Sequence, residues 1–475
     1  MNATQLLTEL SGIVGTDQVL IDPGVRAGYE TDWTGRWHGT ALAVVRPGSV
    51  DEVAAVIGSC RRHRMPIVPQ GGNTGLVGGG VPRDVEHLAT VTGQRPEGDQ
   101  ARLAVVLSTT RLTRLDAVDE VADEVVVGAG VTLAALQAHV RPAGLDVGVD
   151  LAARDSATIG GMVATNAGGI HVHRYGPMRE QLLGIEAVLG NGDLVRRLHA
   201  PRKDNTGYHL PSLLAGSEGT LGVVTAARLR LHPRLERRAV AVLGVTGTSA
   251  ALRIATSLRR SLSTVTAAEL FPPDGAALVI RHLGGQPPFD HPVPAFLLIE
   301  VADRSDPEPA LVDALAGIGD IDEGAIDAVI ATDTAARERL WLLREGLAEA
   351  MEREGVPHSL DVTLPLDRVA EFVDRAPGRI SAADPSARTI LFGHLLDGNL
   401  HVNVLGPAPG DQATDDAVLE LTLELGGSIA AEHGIGAAKV GWLTRDRTAG
   451  DLAAMRAIKR ALDPDGIMNP GVLFT

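Results

Sequence analysis

The segment that most restricts this chain is Gln70-Gly71-Gly72-Asn73-Thr74-Gly75-Leu76-Val77-Gly78-Gly79-Gly80, six glycines in eleven residues directly behind an apolar strand signal. One or two glycines are enough to turn a chain. Six leave the backbone bare so that something can lie against it, and consecutive amides in such a loop can converge on an anion such as a pyrophosphate. The residues before the loop set its local fold. Ala41–Val45 is an apolar run closed by Pro47-Gly48, Ser49 with Glu52 three residues on is a capping box, and Val50, Val53, Val56, Ile57 and Cys60 recur at helical spacing, which makes Cys60 a core residue. Pro66–Pro69 is a second short strand, and residues 4–14 read as an amphipathic helix. The loop lacks both the Gly-Lys-Ser/Thr that closes a Walker loop and the G-x-G that opens a dinucleotide fingerprint.

Two later segments repeat the theme. Asp155-Ser156-Ala157-Thr158-Ile159-Gly160-Gly161 runs on through Thr165-Asn166-Ala167-Gly168-Gly169, and Gly216-Ser217-Glu218-Gly219-Thr220-Leu221-Gly222-Val223 precedes a further strand. Three such segments before residue 235 imply one long, multi-phosphate ligand held largely by backbone. A competing nicotinamide fingerprint at Gly128-Ala129-Gly130, with a helix starting near Thr132, carries Leu133 where the third glycine belongs, so it is the weaker reading.

Composition narrows the class. At 475 residues the chain exceeds one ordinary core, and two or three domains are expected. A net charge of −16 with no basic stripe disfavours nucleic acid and anionic membrane as partners. Only Lys203, Lys439 and Lys459 among the 43 basic residues are lysine, so a single arginine carries little information. Cys60 is the sole cysteine, the N-terminus lacks the pattern of a signal peptide, and no apolar run approaches the ~18 residues of a membrane span. The expectation is a cytoplasmic enzyme, any membrane contact being peripheral, with a homodimer left open.

After Pro233 the texture changes to strand candidates such as Ala239–Leu243 and Phe296–Val301, alternating with helical stretches around 246–262, 307–317, 332–353 and 365–376. The informative stretch is Gly393-His394-Leu395-Leu396-Asp397-Gly398-Asn399-Leu400-His401-Val402-Asn403. Asp-Gly between apolar runs predicts a two-residue hairpin turn, which sets His394 directly opposite His401 with Asn403 on the same face. Two imidazoles there can share a metal or form a polar pair on a sheet face. Glu432-His433, in the glycine-flanked Ala430–Gly436, offers a further carboxylate and imidazole, and two histidines with a glutamate leave the open position of a catalytic zinc site.

The three glycine segments resemble the flavin-binding domain of the vanillyl-alcohol-oxidase superfamily. Gly393-His394, Asp397–His401, Glu432–Gly436 and Lys439 resemble its D-2-hydroxyacid dehydrogenase branch, which takes D-2-hydroxyglutarate, D-lactate or glycolate. The implied fold is α+β: an FAD-binding domain of two α/β subdomains (1–235), an α+β substrate or cap domain (236–425) and a C-terminal segment (426–475) returning to the flavin. The implied cofactor contacts are Gly71, Gly72, Asn73, Thr74, Gly75, Thr158, Gly160, Gly161, Thr165, Asn166, Gly168, Glu218, Gly219, Gly222, Val223 and Asn469. Members that tether their flavin from the first loop carry histidine where this chain has Asn73, so noncovalent FAD is expected. A turn at Pro470-Gly471 is the equal alternative for the segment around Asn469.

By the same resemblance His394, His401 and Glu432 hold a divalent metal, zinc. Asn403 and His433 touch the substrate and Arg344 binds its carboxylate; His433 is also the expected general base, because an unperturbed imidazole, with a pKa near ~6.5, suits physiological pH. The partners are a small 2-hydroxy acid and an electron acceptor, whether electron-transfer flavoprotein, quinone or cytochrome. Ala348 and Ser359 stand where hydroxyglutarate members carry threonine and lysine, and Leu396 replaces a usual glycine, which leaves the acid open between a dicarboxylate and a shorter or more apolar one. A flavin oxidase and a flavin-carrying subunit of an electron-transfer complex are the rival readings.

Overall fold

The computed structural model describes residues 3–83, 103–199, 201, 203–318, 324–331 and 333–474. The chain forms two compact units, one of residues 1–169, 175–233 and 432–475, the other of residues 170–174 and 234–431.

The first unit contains two sheets. In one, Ala41–Val45, Ala104–Ser108 and Ile67–Gln70 run parallel and Val19–Leu20 adds an antiparallel edge. The crossover helix Val50–His63 begins where Ser49 accepts a hydrogen bond from the Glu52 amide and buries Val53, Val56, Ile57 and Cys60 against Ala3–Val14 and the strands. Cys60 is fully buried, as its spacing requires. The second sheet is antiparallel, with order Glu124–Gly128, Gly222–Pro233, Leu182–Leu189, Leu194–Arg196, and Leu145–Val147 pairs with the long strand Gly222–Pro233. The C-terminal stretch completes this unit: Ile467 and Asn469 exchange backbone hydrogen bonds with Ile67, and Lys459 donates to the carbonyls of Thr220 and Met468.

The second unit is a seven-stranded antiparallel sheet in the order Ala325–Ala331, Arg237–Val245, Ala295–Asp303, Val265–Phe271, Arg388–His394, Asn399–Leu405, His358–Thr363. Side chains alternate across a strand, and register therefore assigns each residue a face. One face carries Val240, Val242, Phe296, Leu298, Phe271, Ile390 and Phe392, packed by residues of Pro273–Leu283, Thr334–Glu345 and Leu347–Glu352. The stretch expected to be one helix over 332–353 is two, divided at Gly346, where a Cβ would crowd the Leu342 carbonyl and Leu283.

Glu300 is a polar member of this face. It accepts from Arg238, Thr266 and the indole of Trp341, with His171 4.0 Å away, which ties residues 170–174 to this unit. Burial favours the neutral acid, but His171, Arg238 and Thr266 outweigh it and bring the carboxyl down to about 2 from its ordinary 4.5. A depressed carboxyl stabilises the fold above its unfolded pKa, and the contribution is lost as pH falls through the folded value. Glu300→Gln is therefore expected to cost about 3 kcal/mol at pH 7, with the deficit against the parent narrowing between pH 4.5 and about 2. Urea unfolding at pH 7 and pH 3 reads both; an equal deficit at the two values rejects the account.

Candidate functional site: a glycine cradle and a paired-imidazole sheet face

Within the first unit the three glycine segments come together. A Cβ on Gly71 would overlap the Thr158 hydroxyl and one on Gly72 the Ser156 carbonyl, so these glycines permit a backbone approach no other residue allows. The amides of Gly216 and Glu218 donate to the carbonyls of Val163 and Ala164, which joins the third segment to the second. Asn73, Asn166, Glu218 and Gly219 all take left-handed backbone, the conformation that turns successive amides inward. Thr158 Oγ1 is buried with no hydrogen-bond partner among the described residues, a polar atom placed for a ligand. Together these features fit a cofactor lying along the backbone.

The other residues expected in this cradle have varied positions. Asn73 donates to the carbonyls of Gly28 and Thr31, Thr165 to that of Gly161, and Asn166 accepts from the Arg179 amide. Thr74 and Gly75 form the outer part of the loop, Gly160 packs on Ala129, and Gly168 is buried. Gly222 lies close against the strand Leu182–Leu189, and Val223 packs in the apolar core. Asn469 donates to Gly79 and Glu218 and accepts from Arg83. The carboxylate of Glu218 accepts the amides of Ile435 and Gly436, which binds the turn after Glu432-His433 into the first unit. Burial pushes that carboxyl up, against the pull of these amides, Lys439 and Arg83. The competing fingerprint has another use: Gly128 and Gly130 allow close packing on residues 109–114, and Leu133 is core.

The second unit carries the histidines. Its hairpin differs from the expected one. Pairing runs Arg388↔Leu405 through His394↔Asn399, so Leu395–Gly398 form a four-residue connection and His401 stands opposite Phe392. Leu395 is drawn onto the neighbouring strand by its hydrogen bond to Ala268, Asp397 accepts the Asn399 amide, and Gly398 supplies left-handed backbone where the Leu364 carbonyl approaches. The register thus slips by two residues. A shift of two keeps every side chain on its face, and His394 and His401 become diagonal neighbours with their Nε2 atoms 3.4 Å apart and rings edge-on.

Two carboxylates absent from the sequence reading stand behind the imidazoles. Glu269, opposite His394 and fully buried, accepts from His394 Nδ1 at 2.8 Å and pairs with Arg344 at 2.8 Å. Burial alone favours its neutral form, but the His394 imidazole and the Arg344 guanidinium hold it below the ordinary carboxylate range. Asp361, also fully buried, lies 3.7 Å from His401 Nδ1 and accepts from Asn399 and from the amide of Ala431, the residue before Glu432. Glu269 is an acidic residue in an apolar strand, and that was the signal available to find it; Asp361 lies in the mixed strand His358–Thr363.

Arg344 is not a solvated helix residue: it is 8% exposed, with its guanidinium 4.4 Å from the Phe392 ring centre. Asn403 accepts from Ser359 at 2.9 Å, and its buried amide nitrogen has no partner among the described residues. Arg344, His394, His401 and Asn403 thus share one face of the second unit, while Glu432 and His433 open the last segment of the first.

Comparison with known proteins gives this geometry its class. Residues 41–95 and 83–197 match an FAD binding domain, and 234–473 match the C-terminal domain of FAD linked oxidases. Among solved structures, p-cresol methylhydroxylase with bound substrate superposes with a TM-score of 0.75, covering 99% of this chain and 96% of that one at 16% identity. Alkyldihydroxyacetonephosphate synthase gives 0.74 over 99% and 85% at 15% identity. At such identities the likeness establishes the fold alone, the vanillyl-alcohol-oxidase type of flavoprotein.

Sequence relatives are more specific. D-2-hydroxyglutarate dehydrogenase of Xanthomonas citri pv. viticola is 36% identical, covering 94% of this chain and 92% of the relative; the mitochondrial enzyme of Bos taurus is also 36% identical, over 95% and 80%. The chain belongs to the family of FAD-dependent D-2-hydroxyacid dehydrogenases. Among the described residues no helix is long and apolar enough to cross a membrane.

The cradle generates a test. Gly72→Ala forces two backbone segments apart and should cost about 1–3 kcal/mol with or without flavin. Gly75→Ala, whose Cβ would meet nothing within 4 Å, should leave the apoprotein's stability unchanged yet weaken FAD retention. Thermal melts and flavin absorbance of both variants decide; unchanged retention in Gly75→Ala removes that part of the loop from the cofactor site.

Proposed function

We propose that this enzyme oxidises a D-2-hydroxy acid to the 2-oxo acid with noncovalent FAD and a divalent ion, zinc, held by His394, His401 and Glu432. The observation that carries the metal is the imidazole pair. Glu269 meets His394 Nδ1 at 2.8 Å and Asp361 lies 3.7 Å from His401 Nδ1, while the two Nε2 atoms approach each other to 3.4 Å. Two imidazole nitrogens converging in this way suit a shared divalent cation, for which histidine is a usual ligand. Histidines whose outer nitrogens meet carboxylates are the usual ligand arrangement.

When bound, FAD accepts the hydride from C2 and the ion acidifies the substrate hydroxyl. The chain's own groups do the remainder. Arg344 and the Asn403 amide nitrogen grip the carboxylate and fix C2. His433, next to Glu432, removes the hydroxyl proton. Ser359 is engaged with Asn403, and Ala348 offers only a methyl group, so neither supplies the cation or hydroxyl that a second carboxylate at those positions needs. The names of the relatives support D-2-hydroxyglutarate as the first acid to test, with D-lactate as the monocarboxylate arm. Electrons leave to a carrier such as electron-transfer flavoprotein, a quinone or a cytochrome rather than to oxygen.

A dye-coupled screen of D- and L-2-hydroxy acids on metal-quantified protein tests the activity, with oxygen consumption alongside; activity confined to L-acids refutes it. His433→Asn should keep flavin and metal while turnover falls about 10²–10⁴-fold. His394→Ala should lose its stoichiometric divalent ion, and an unchanged content returns the pair to a structural role.

A further inference from the structure

Glu269 sits inside Val265-Thr266-Ala267-Ala268-Glu269-Leu270-Phe271, a strand whose every residue is buried. Leu298 is its cross-strand neighbour on one side and His394 on the other. Nothing in sheet pairing asks for a carboxylate there. Burying one is expensive, and replacing a buried ion pair with apolar groups of similar volume is often neutral or stabilising. Sheet packing alone therefore does not explain the residue.

Its contacts do. The two oxygens serve different groups: Oε1 accepts from His394 Nδ1 and Oε2 pairs with Arg344 Nη2, both at 2.8 Å. The first bond fixes the imidazole with Nε2 directed at His401. The second holds the guanidinium against Phe392. One carboxylate thus sets the orientation of a group on the ion and of a group on the substrate.

We infer that Glu269 is a positioning residue shared by the metal and substrate-carboxylate sites, orienting His394 through one oxygen and Arg344 through the other. This rests on the reading of His394 as a metal ligand. Glutamine is the same size but has a single acceptor oxygen. The charged guanidinium gains more from it, leaving the amide NH₂ against His394 Nδ1, where two donors meet. The imidazole must then move its proton to the ligating nitrogen.

The test uses the FAD-loaded enzyme and zinc with a competing chelator. In Glu269→Gln zinc dissociation should weaken about 10–100-fold, while the KM of the faster-turned-over of D-2-hydroxyglutarate and D-lactate, at saturating zinc, stays within about threefold of the parent. If that variant fails to fold, the double variant Glu269→Met with Arg344→Met removes both charges together, and its zinc affinity should fall by the same factor. A variant with a lowered melting temperature but parental zinc affinity has lost only a packing residue and overturns the inference. A parent that holds no zinc overturns the metal reading beneath it, so the two failures are distinct.

Discussion

A charge cannot be buried alone, and this constraint shapes both units. Glu218, Glu269, Glu300 and Asp361 lie almost wholly out of solvent. Each is compensated by several donors: Glu218 by two backbone amides, Glu269 by an imidazole and a guanidinium, Glu300 by Arg238, Thr266 and Trp341, Asp361 by Asn399 and the Ala431 amide. Because ionic groups in a low-dielectric interior are tolerated only with such partners, each carboxylate fixes the position of everything bonded to it. All four join elements distant in sequence: Glu218 reaches Ile435 and Gly436, Glu269 reaches His394 and Arg344, Glu300 reaches Trp341, and Asp361 reaches Ala431.

The seven-stranded sheet shows how a cluster of polar groups can share a face with ordinary core packing. The face that carries the apolar core under Pro273–Leu283, Thr334–Glu345 and Leu347–Glu352 continues into Glu269, His394, His401, Asn403 and Asp361 with no break in the pleat. The polar groups are therefore held by the core packed beside them, the kind of support that precise placement of side chains requires. Arg344 reaches this face from the last turn of a helix that is otherwise part of the hydrophobic layer.

Much of this was legible in the residues. Ala41–Val45, the capped helix Val50–His63 and the glycine loop follow from local pattern, since each depends on contacts short in sequence. The facing of His394 and His401 was also legible, because strand parity survives a two-residue slip; their register was not. The Asp-Gly signal describes the turn alone, whereas the observed connection is set by Leu395 bonding to Ala268, a contact across 127 positions of sequence that no local reading contains. Glu269 and Asp361 were missed for the same reason. An acidic residue in an apolar strand becomes meaningful only when its partners, 125 positions away for Glu269 and His394, are known.

The first unit is discontinuous: its edge strand Ile67–Gln70 receives Ile467 and Asn469 from a distant part of the chain, and Glu218 holds the amides of Ile435 and Gly436. During translation the second unit, nearly continuous over 234–431, is complete while the other still lacks its closing segment. The strand Ile67–Gln70 therefore gains its last backbone partners only once residues 432–475 have been made.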